Sequence, residues 1–277
     1  MESKELTIVI VTFKSEDKIF TCLNSIPTET PVYVVENSNN NIFKNDVESR
    51  YPNVECILTG ENKGYAAANN IGLNKVKSKF ALVLNPDATL DKNAIKNFLS
   101  IKNKIDDFWL IGPAINQSIN NYSDMNDITQ VQDIKGFAIF FNMKKFNNHF
   151  FDDNFFLYFE EIDLCKFVIK KGGKIYLDKN IIIQHDGASS VSTNKKINLE
   201  KNRNWHWMWS TFYFHKKYKG FFLAVIIIFP KLFSSILKIL FYQMVFNKDR
   251  RDIYFCRMSG ILNAMLGRKS WYRPSLD

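Results

Sequence analysis

Four cysteines, at positions 22, 56, 165 and 256, are scattered through 277 residues, and no two stand in C-x-x-C spacing. That excludes a zinc ribbon or a dithiol redox motif and suits buried thiols in a reducing compartment. No G-x-G-x-x-G follows the first apolar run, so a dinucleotide-binding turn is missing. The loop there, Thr12-Phe13-Lys14-Ser15, also lacks the glycine run that a nucleotidylyltransferase needs to hold a triphosphate. No internal repeat is evident. No basic N-terminus leads into a long apolar run, so a secretory signal is not expected. Acidic residues nearly vanish from the last third: residues 201–277 hold three Asp and Glu against 14 Lys and Arg.

What is present describes a folded chain. Hydrophobic residues make up 46% and charged residues 23%, which excludes disorder, and the length allows one or two domains. The net charge of +9 suggests an anionic partner: nucleic acid, a phosphorylated ligand or a membrane surface. Residues 1–200 carry 23 Lys and Arg against 25 Asp and Glu, a net of −2, so the excess of +11 sits in residues 201–277. Two regions, 1–200 and 201–277, are therefore expected.

Apolar, β-branched runs at 6–11, 32–35, 54–58 and 80–84 predict buried strands. Between them lie helical patterns. Ser15 is a candidate N-cap, with Glu16 and Asp17 in the first turn and Ile19, Leu23 and Ile26 on one face. Residues 66–76 predict a helix of small residues and 91–104 another. Residues 116–132 predict a polar surface insertion. Then come a strand at 136–141, a helix at 160–171 ended by Gly172-Gly173, and short strands at 174–177 and 181–183. Alternating strands and helices define an α/β fold with a mostly parallel sheet, whose ligands bind beyond the carboxyl ends of the strands. Three polar clusters fall at such ends: Thr12-Phe13-Lys14, Glu36-Asn37-Ser38 and Asn85-Pro86-Asp87.

The segment Asn62-Lys63-Gly64-Tyr65-Ala66-Ala67-Ala68-Asn69-Asn70-Ile71-Gly72 is the most specific stretch of the chain. It resembles the N-x-G-[FY]-[AG]-x-[AG]-N-N-x-G stretch of family 2 glycosyltransferases, closest to the bacterial rhamnosyltransferase-like branch. Four further motifs of that branch appear in order. They are the strand end at 32–38, the L-N-P-D turn at 84–87, the acidic helix start Glu160-Glu161-Ile162-Asp163-Leu164-Cys165, and the H-x-x-G-x-S turn from His185 to Ser190.

The resemblance implies a GT-A fold, a nucleotide-diphosphate sugar as donor (dTDP-L-rhamnose first, a UDP-sugar next) and transfer with inversion. It implies a divalent cation, Mn²⁺ or Mg²⁺, to offset the charge of the leaving diphosphate. Asp87 is the implied ligand, and family members often carry a second Asp where this chain has Asn85. His185 is the candidate to complete the site. Without the resemblance, Asp87 is a turn residue after proline and His185 closes a loop. The family's general base falls on Glu161, with Asp163 the other candidate; by themselves these acids only complement a helix dipole. Thr12, Phe13 and Glu36 are implied around the nucleoside, Gly64 and Asn69 near ribose or diphosphate, and Asn85 among the donor-binding residues. Phe13 can equally be core, and Asn69 can simply buttress its helix. Gly136 lies ahead of an acceptor-side strand. A non-catalytic, membrane-bound nucleotide-sugar-binding protein is the remaining alternative.

The basic region carries Trp205, Trp207 and Trp209, then Lys216, Lys217 and Lys219, then a mostly apolar stretch at 221–246, closed by Lys248, Arg250 and Arg251. Twenty-six residues are long enough to cross a bilayer, but only 221–229 is uninterrupted, and Pro230-Lys231 falls near the middle. After Pro230, apolar residues follow helical spacing opposite Ser235 and Lys238. That pattern predicts a helix lying in an anionic membrane surface. A true span and a buried helix are the other readings. No nucleic-acid motif accompanies the charge, so a polynucleotide partner is not expected. The acceptor implied is a lipid-linked or cell-surface polysaccharide precursor. The location implied is cytoplasmic, peripheral or monotopic on the inner face of the plasma membrane.

Overall fold

The computed structural model describes residues 5–115, 127–185, 191 and 195–276. They form two compact units, one of residues 1–152 and 161–192, the other of residues 153–160 and 193–277. Position 200, where the sequence divides by charge, falls inside a helix of the second unit.

The first unit is a nine-stranded sheet covered on both faces. β1 (Leu6–Thr12), β2 (Val32–Glu36), β3 (Val54–Leu58) and β4 (Phe80–Leu84) pair in parallel in the order β3-β2-β1-β4. One face carries Ile8, Ile10, Val34 and Leu82. It is covered by Ile19 and Leu23 of α1 (Glu16–Asn24), Phe43 and Val47 of α2 (Asn41–Arg50), and Ala94 and Phe98 of α4 (Ala94–Ser100). On the other face lies α3 (Tyr65–Leu73). A Cβ placed on its Gly72 would come within 2.4 Å of a Val9 methyl and 3.1 Å of a Val35 methyl. The small residues of α3 let helix and sheet approach this closely, where a larger side chain would force them apart.

Beyond β4 the sheet turns mixed. β8 (Ala138–Asn142) runs antiparallel to β4, β6 (Leu110–Ile115) antiparallel to β8, and β9 (Ile175–His185) parallel to β6. β5 (Ala88–Leu90) and β7 (Ile128–Gln130) both pair antiparallel with β9. Several expectations need correction. The helix expected at 91–104 starts only at Ala94, because Asp91 is spent on the turn before it: its carbonyl and carboxylate accept from Ala94 and Asn93. The two short strands expected around 174–183 are one strand with a register shift opposite Pro113 and Ala114. Residues 128–130, expected within a loop, are β7; residues 116–126 of that expected loop lie outside the described residues.

The second unit is helical, with α6 (Lys196–Lys219), α7 (Phe221–Met244) and α8 (Lys248–Met265). Trp205, Met208, Trp209 and Phe212 of α6 pack with Ala224 and Ile228 of α7 and Cys256, Ile261 and Ala264 of α8. The indole N–H of Trp205 donates to Ser259 Oγ at 3.2 Å and that of Trp209 to Arg268 O at 3.0 Å, which meets their polar needs inside an apolar core. Residues 153–160 complete this unit. Phe155 meets Tyr213 edge-on at 4.9 Å, Phe159 lies 5.2 Å from Phe214, and Ser210 Oγ donates to Leu157 O. Pro230, which interrupts the apolar stretch near its middle, lies within α7. Its missing N–H removes one backbone bond, and the flanking apolar turns hold the helix through it.

Candidate active site

The turn after β4 brings the first pieces together. Asn85 N donates to Phe137 O at 2.8 Å, and Ala88 N donates back to Asn85 O at 3.1 Å. The turn delivers Asp87 beside the start of β5, whose Ala88 pairs with His185 at the end of β9. In consequence Asp87 Oδ1 lies 3.3 Å from His185 Nε2, and Asn85 Nδ2 lies 3.5 Å from the same nitrogen. Asp87 is buried, and the His185 ring stacks on Phe137 with centroids 4.6 Å apart. Residues 186–190, the rest of the expected H-x-x-G-x-S turn, lie outside the described residues.

Gly136 and Phe137, just ahead of β8, are the hub of this arrangement. Tyr65 Oη donates to Gly136 O at 2.6 Å, Phe137 O holds Asn85, and the Phe137 ring holds His185. A Cβ on Gly136 would lie in ordinary contact with the Glu161 side chain, at 3.4–3.8 Å, so the two segments pass close together. Glu161 belongs to α5 (Glu160–Lys170). Burial pushes its carboxyl above the ordinary glutamate value. The backbone N–H groups of Glu161 and Ile162, with Lys135, pull it back, and Asp133 pushes it further up. Asp163, two positions on, is buried and points to another side of the helix, because residues two apart do not share a face.

At the carboxyl ends of the parallel strands, Thr12 and Glu36 are cross-strand partners. Glu36 is buried. Its carboxylate accepts from Ser38 N at 2.9 Å, from Ser38 Oγ and from Asn40 N at 2.7 Å, so much of its capacity is spent shaping its own loop. Phe13 is half-buried, and both its backbone N and O meet Ser15 Oγ; Ser15 therefore does not cap α1 with its side chain. Gly64, at φ 83°, is the N-cap residue of α3 in backbone that favours glycine. Asn69 is buried on α3, donating to Tyr65 O at 3.0 Å. Thr12 Oγ1, Asn69 Oδ1 and Asn85 Oδ1 are buried without a hydrogen-bond partner among the described residues. A buried polar atom left unpaired costs about 1–3 kcal/mol. Two of the three, Thr12 and Asn85, stand at the carboxyl ends of the adjacent strands β1 and β4.

The motifs named Asn37 only within the Glu36-Asn37-Ser38 cluster, with no role of its own, and did not reach Asp133, Lys135 or Phe137. Asn37 Oδ1 accepts from Lys63 N and Thr59 Oγ1, and its Nδ2 donates to Asn62 Oδ1 at 3.1 Å, which fixes the 59–64 loop ahead of α3. Asn37 stands in the motif at 32–38, so its place was visible and its partners were not.

The sheet order, with the Asp-bearing turn beyond β4, defines a GT-A fold. Two solved structures share it. One is GalNAc-T7 with UDP, GalNAc and Mn²⁺, with TM-score 0.54 and 11% identity, covering 73% of this chain and 50% of that one. The other is the mannosyltransferase PcManGT from Pyrobaculum calidifontis in complex with GDP-Man and Mn²⁺, with TM-score 0.59 and 10% identity, covering 96% and 88%. Residues 7–165 match Glycosyl transferase family 2, and the chain belongs to that family. The low-salt glycan biosynthesis hexosyltransferase Agl10 of Haloferax volcanii is 24% identical over 188 residues, covering 58% of this chain and 60% of that protein. The chain thus spans less than two thirds of that relative's length.

Proposed function

We propose that this chain is an inverting, metal-dependent hexosyltransferase. It takes a sugar from a nucleotide-diphosphate donor, L-rhamnose from dTDP-L-rhamnose first and a UDP-sugar next. The acceptor is a lipid-linked or cell-surface polysaccharide precursor at the cytoplasmic face of the plasma membrane. Family membership supports glycosyl transfer, and the motif resemblance supports rhamnose. The observation that carries the reading is the convergence of Asn85, Asp87 and His185 on the segment that also faces Glu161.

The residues fit a divalent cation. A carboxylate oxygen and an imidazole nitrogen 3.3 Å apart stand beside an amide whose oxygen is buried and unpartnered. Among the described residues no third His, Cys, Asp or Glu joins them, so diphosphate oxygens would complete the shell of Mn²⁺ or Mg²⁺. When bound, the cation offsets the negative charge that builds on the departing diphosphate. Phe137 holds the His185 ring against rotation. Thr12, Phe13 and Glu36 line the nucleoside end, and Gly64 and Asn69 stand toward ribose and diphosphate. Glu161 takes the proton from the acceptor hydroxyl as it attacks the anomeric carbon, and its raised proton affinity makes it a stronger base than a solvated glutamate. Asp163, facing another side of α5, takes that role only if Glu161 proves dispensable.

The test is a panel of nucleotide sugars screened by thermal shift with and without Mn²⁺. The cognate donor should raise the melting temperature only with the metal, and Asp87→Ala should lose both that shift and sugar transfer. Full transfer by the variant overturns the metal assignment; no shift with any nucleotide sugar overturns the donor class.

A further inference from the structure

α7 wears its amphipathic pattern inside out. The residues it buries within the second unit are Ala224, Ile228 and Ser235, on one stripe at helical spacing. The opposite stripe, Phe222, Ile226, Phe229, Phe233, Leu237 and Leu240, faces outward. Phe222 is 83% exposed, and Leu237, the least exposed of the six, is still 50% exposed. Polar groups of α7 lie off this stripe and reach α8 while remaining exposed. Lys238 Nζ donates to Tyr254 Oη of α8 at 3.2 Å, Lys231 lies within electrostatic reach of Arg257 of α8, and Gln243 accepts from Arg251 at 2.9 Å. A helix in water buries its larger apolar residues, whereas α7 leaves these six exposed, so this face is made for an apolar medium.

Charge names the medium. Exposed Lys216 and Lys219 stand at the start of α7, and exposed Lys248 and Arg250 just beyond its end. Cations at both ends of one apolar stripe match anionic headgroups along its whole length. A different set of charges opposes a span. α7 packs on α8, and α8 is tied to α6 by Lys201 Nζ to Asp252 at 3.0 Å and Arg257 to Asn204 at 2.9 Å, while Arg251, also on α8, pairs with the same Asp252 at 2.7 Å. Sending α7 across would draw that network toward hydrocarbon, where each charge is costly. At 1.5 Å per residue, its 24 residues make a rod of about 36 Å, which lies flat without strain.

We infer that α7 is an in-plane anchor, laying the Phe222–Leu240 stripe into one leaflet of an anionic bilayer with both ends at the headgroup level. This rests on the membrane-surface part of the function proposed above but not on the donor or the reaction, and the two fail separately.

The test uses the full chain and sealed vesicles of phosphatidylcholine with and without phosphatidylglycerol. Binding should favour the anionic vesicles at least tenfold. Phe222→Asp with Phe229→Asp and Leu237→Asp should lower it at least tenfold while leaving the donor-induced thermal shift intact. Cysteines placed at Lys219 and Lys248, one per variant, should both react with an impermeant maleimide added outside, against a low background because the four native thiols are buried. Protection of either one until detergent is added means a span and overturns the inference. So does a triple variant that binds as well as the parent. A concentration-dependent dimer broken by the triple variant, without vesicle binding, would assign the face to a second copy. Loss of the donor shift with vesicle binding kept would instead count against the donor reading alone.

Discussion

Glu161 is held in a site that resists its ionisation, and that has a pH signature. Its folded-state proton affinity is raised by burial, so the native state holds its proton to higher pH than the unfolded chain does. The stabilising contribution is complete below the ordinary glutamate value and is lost as pH rises through the folded value. Glu161→Gln cannot ionise. Its melting temperature relative to the parent should therefore climb as pH goes from acid to neutral and above, and level off once the parent carboxylate is fully charged. A flat difference across that range would remove the burial argument. In catalysis the same substitution should leave the donor-induced thermal shift in place and cut turnover by about a hundredfold or more. Steady-state kinetics decide it, and if Asp163→Asn shows that phenotype while Glu161→Gln does not, the base is Asp163. The carboxylates, Asn85, Asp87 and His185 could be picked out one by one because each sits in a short local motif. Their supports could not. Tyr65 reaches Gly136 across 71 positions and Asn85 reaches His185 across 100, and no local pattern encodes such a pairing.

Elements were legible where burial alone shaped them. β1 and β4 are buried on both faces, so a short β-branched run sufficed to find them; β3, with Glu55 exposed, was found by its remaining apolar residues. α2 was not expected, since only Phe43 and Val47 are buried along ten residues and the rest reads as loop; Asn40, accepting from Phe43 N at 3.0 Å, is its one clear start signal. β6 was hidden by Gly112 and Pro113 within it, and β7 has three residues, none buried. Two elements carry predictions. The 59–64 loop hangs on Asn37, so Asn37→Ala should strand the partners at Asn62, Lys63 and Thr59. The expected cost is about 1–3 kcal/mol in denaturant melts, with weaker donor affinity by calorimetry. In the second unit α6 and α8 cross so tightly that a Cβ on Gly260 would sit 2.3 Å from Trp205 O. Gly260→Ala must push the helices apart, at about 1–3 kcal/mol. A lowered melting temperature with red-shifted tryptophan emission would report it; unchanged emission and stability would show that the crossing has slack.

For the whole molecule, the decisive quantity is how charge divides. The proposed chemistry sits in residues that are nearly neutral in sum, with a dication as local help, while residues 201–277 hold 14 Lys and Arg against three acids. A truncation at residue 200 would not separate the two roles. It would cut α6 and strip residues 153–160 of partners such as Tyr213 and Phe214. Ionic strength separates them without touching the fold. Each cation near an anionic surface contributes about 1 kcal/mol at physiological salt, so the exposed Lys216, Lys219, Lys248 and Arg250 together strengthen binding by a factor of hundreds. The Debye length shrinks from about 10 Å at 0.1 M salt to about 3 Å at 1 M, so most of that factor should vanish over this range. The apolar stripe of α7 is not screened. Binding to phosphatidylglycerol-containing vesicles should therefore fall steeply with sodium chloride and then flatten at the weak, salt-independent level seen with neutral vesicles. Cosedimentation across the salt series reads both limbs. A curve that falls to zero would show that the apolar face never enters the bilayer. A curve with no slope would show that the basic residues serve some partner other than lipid.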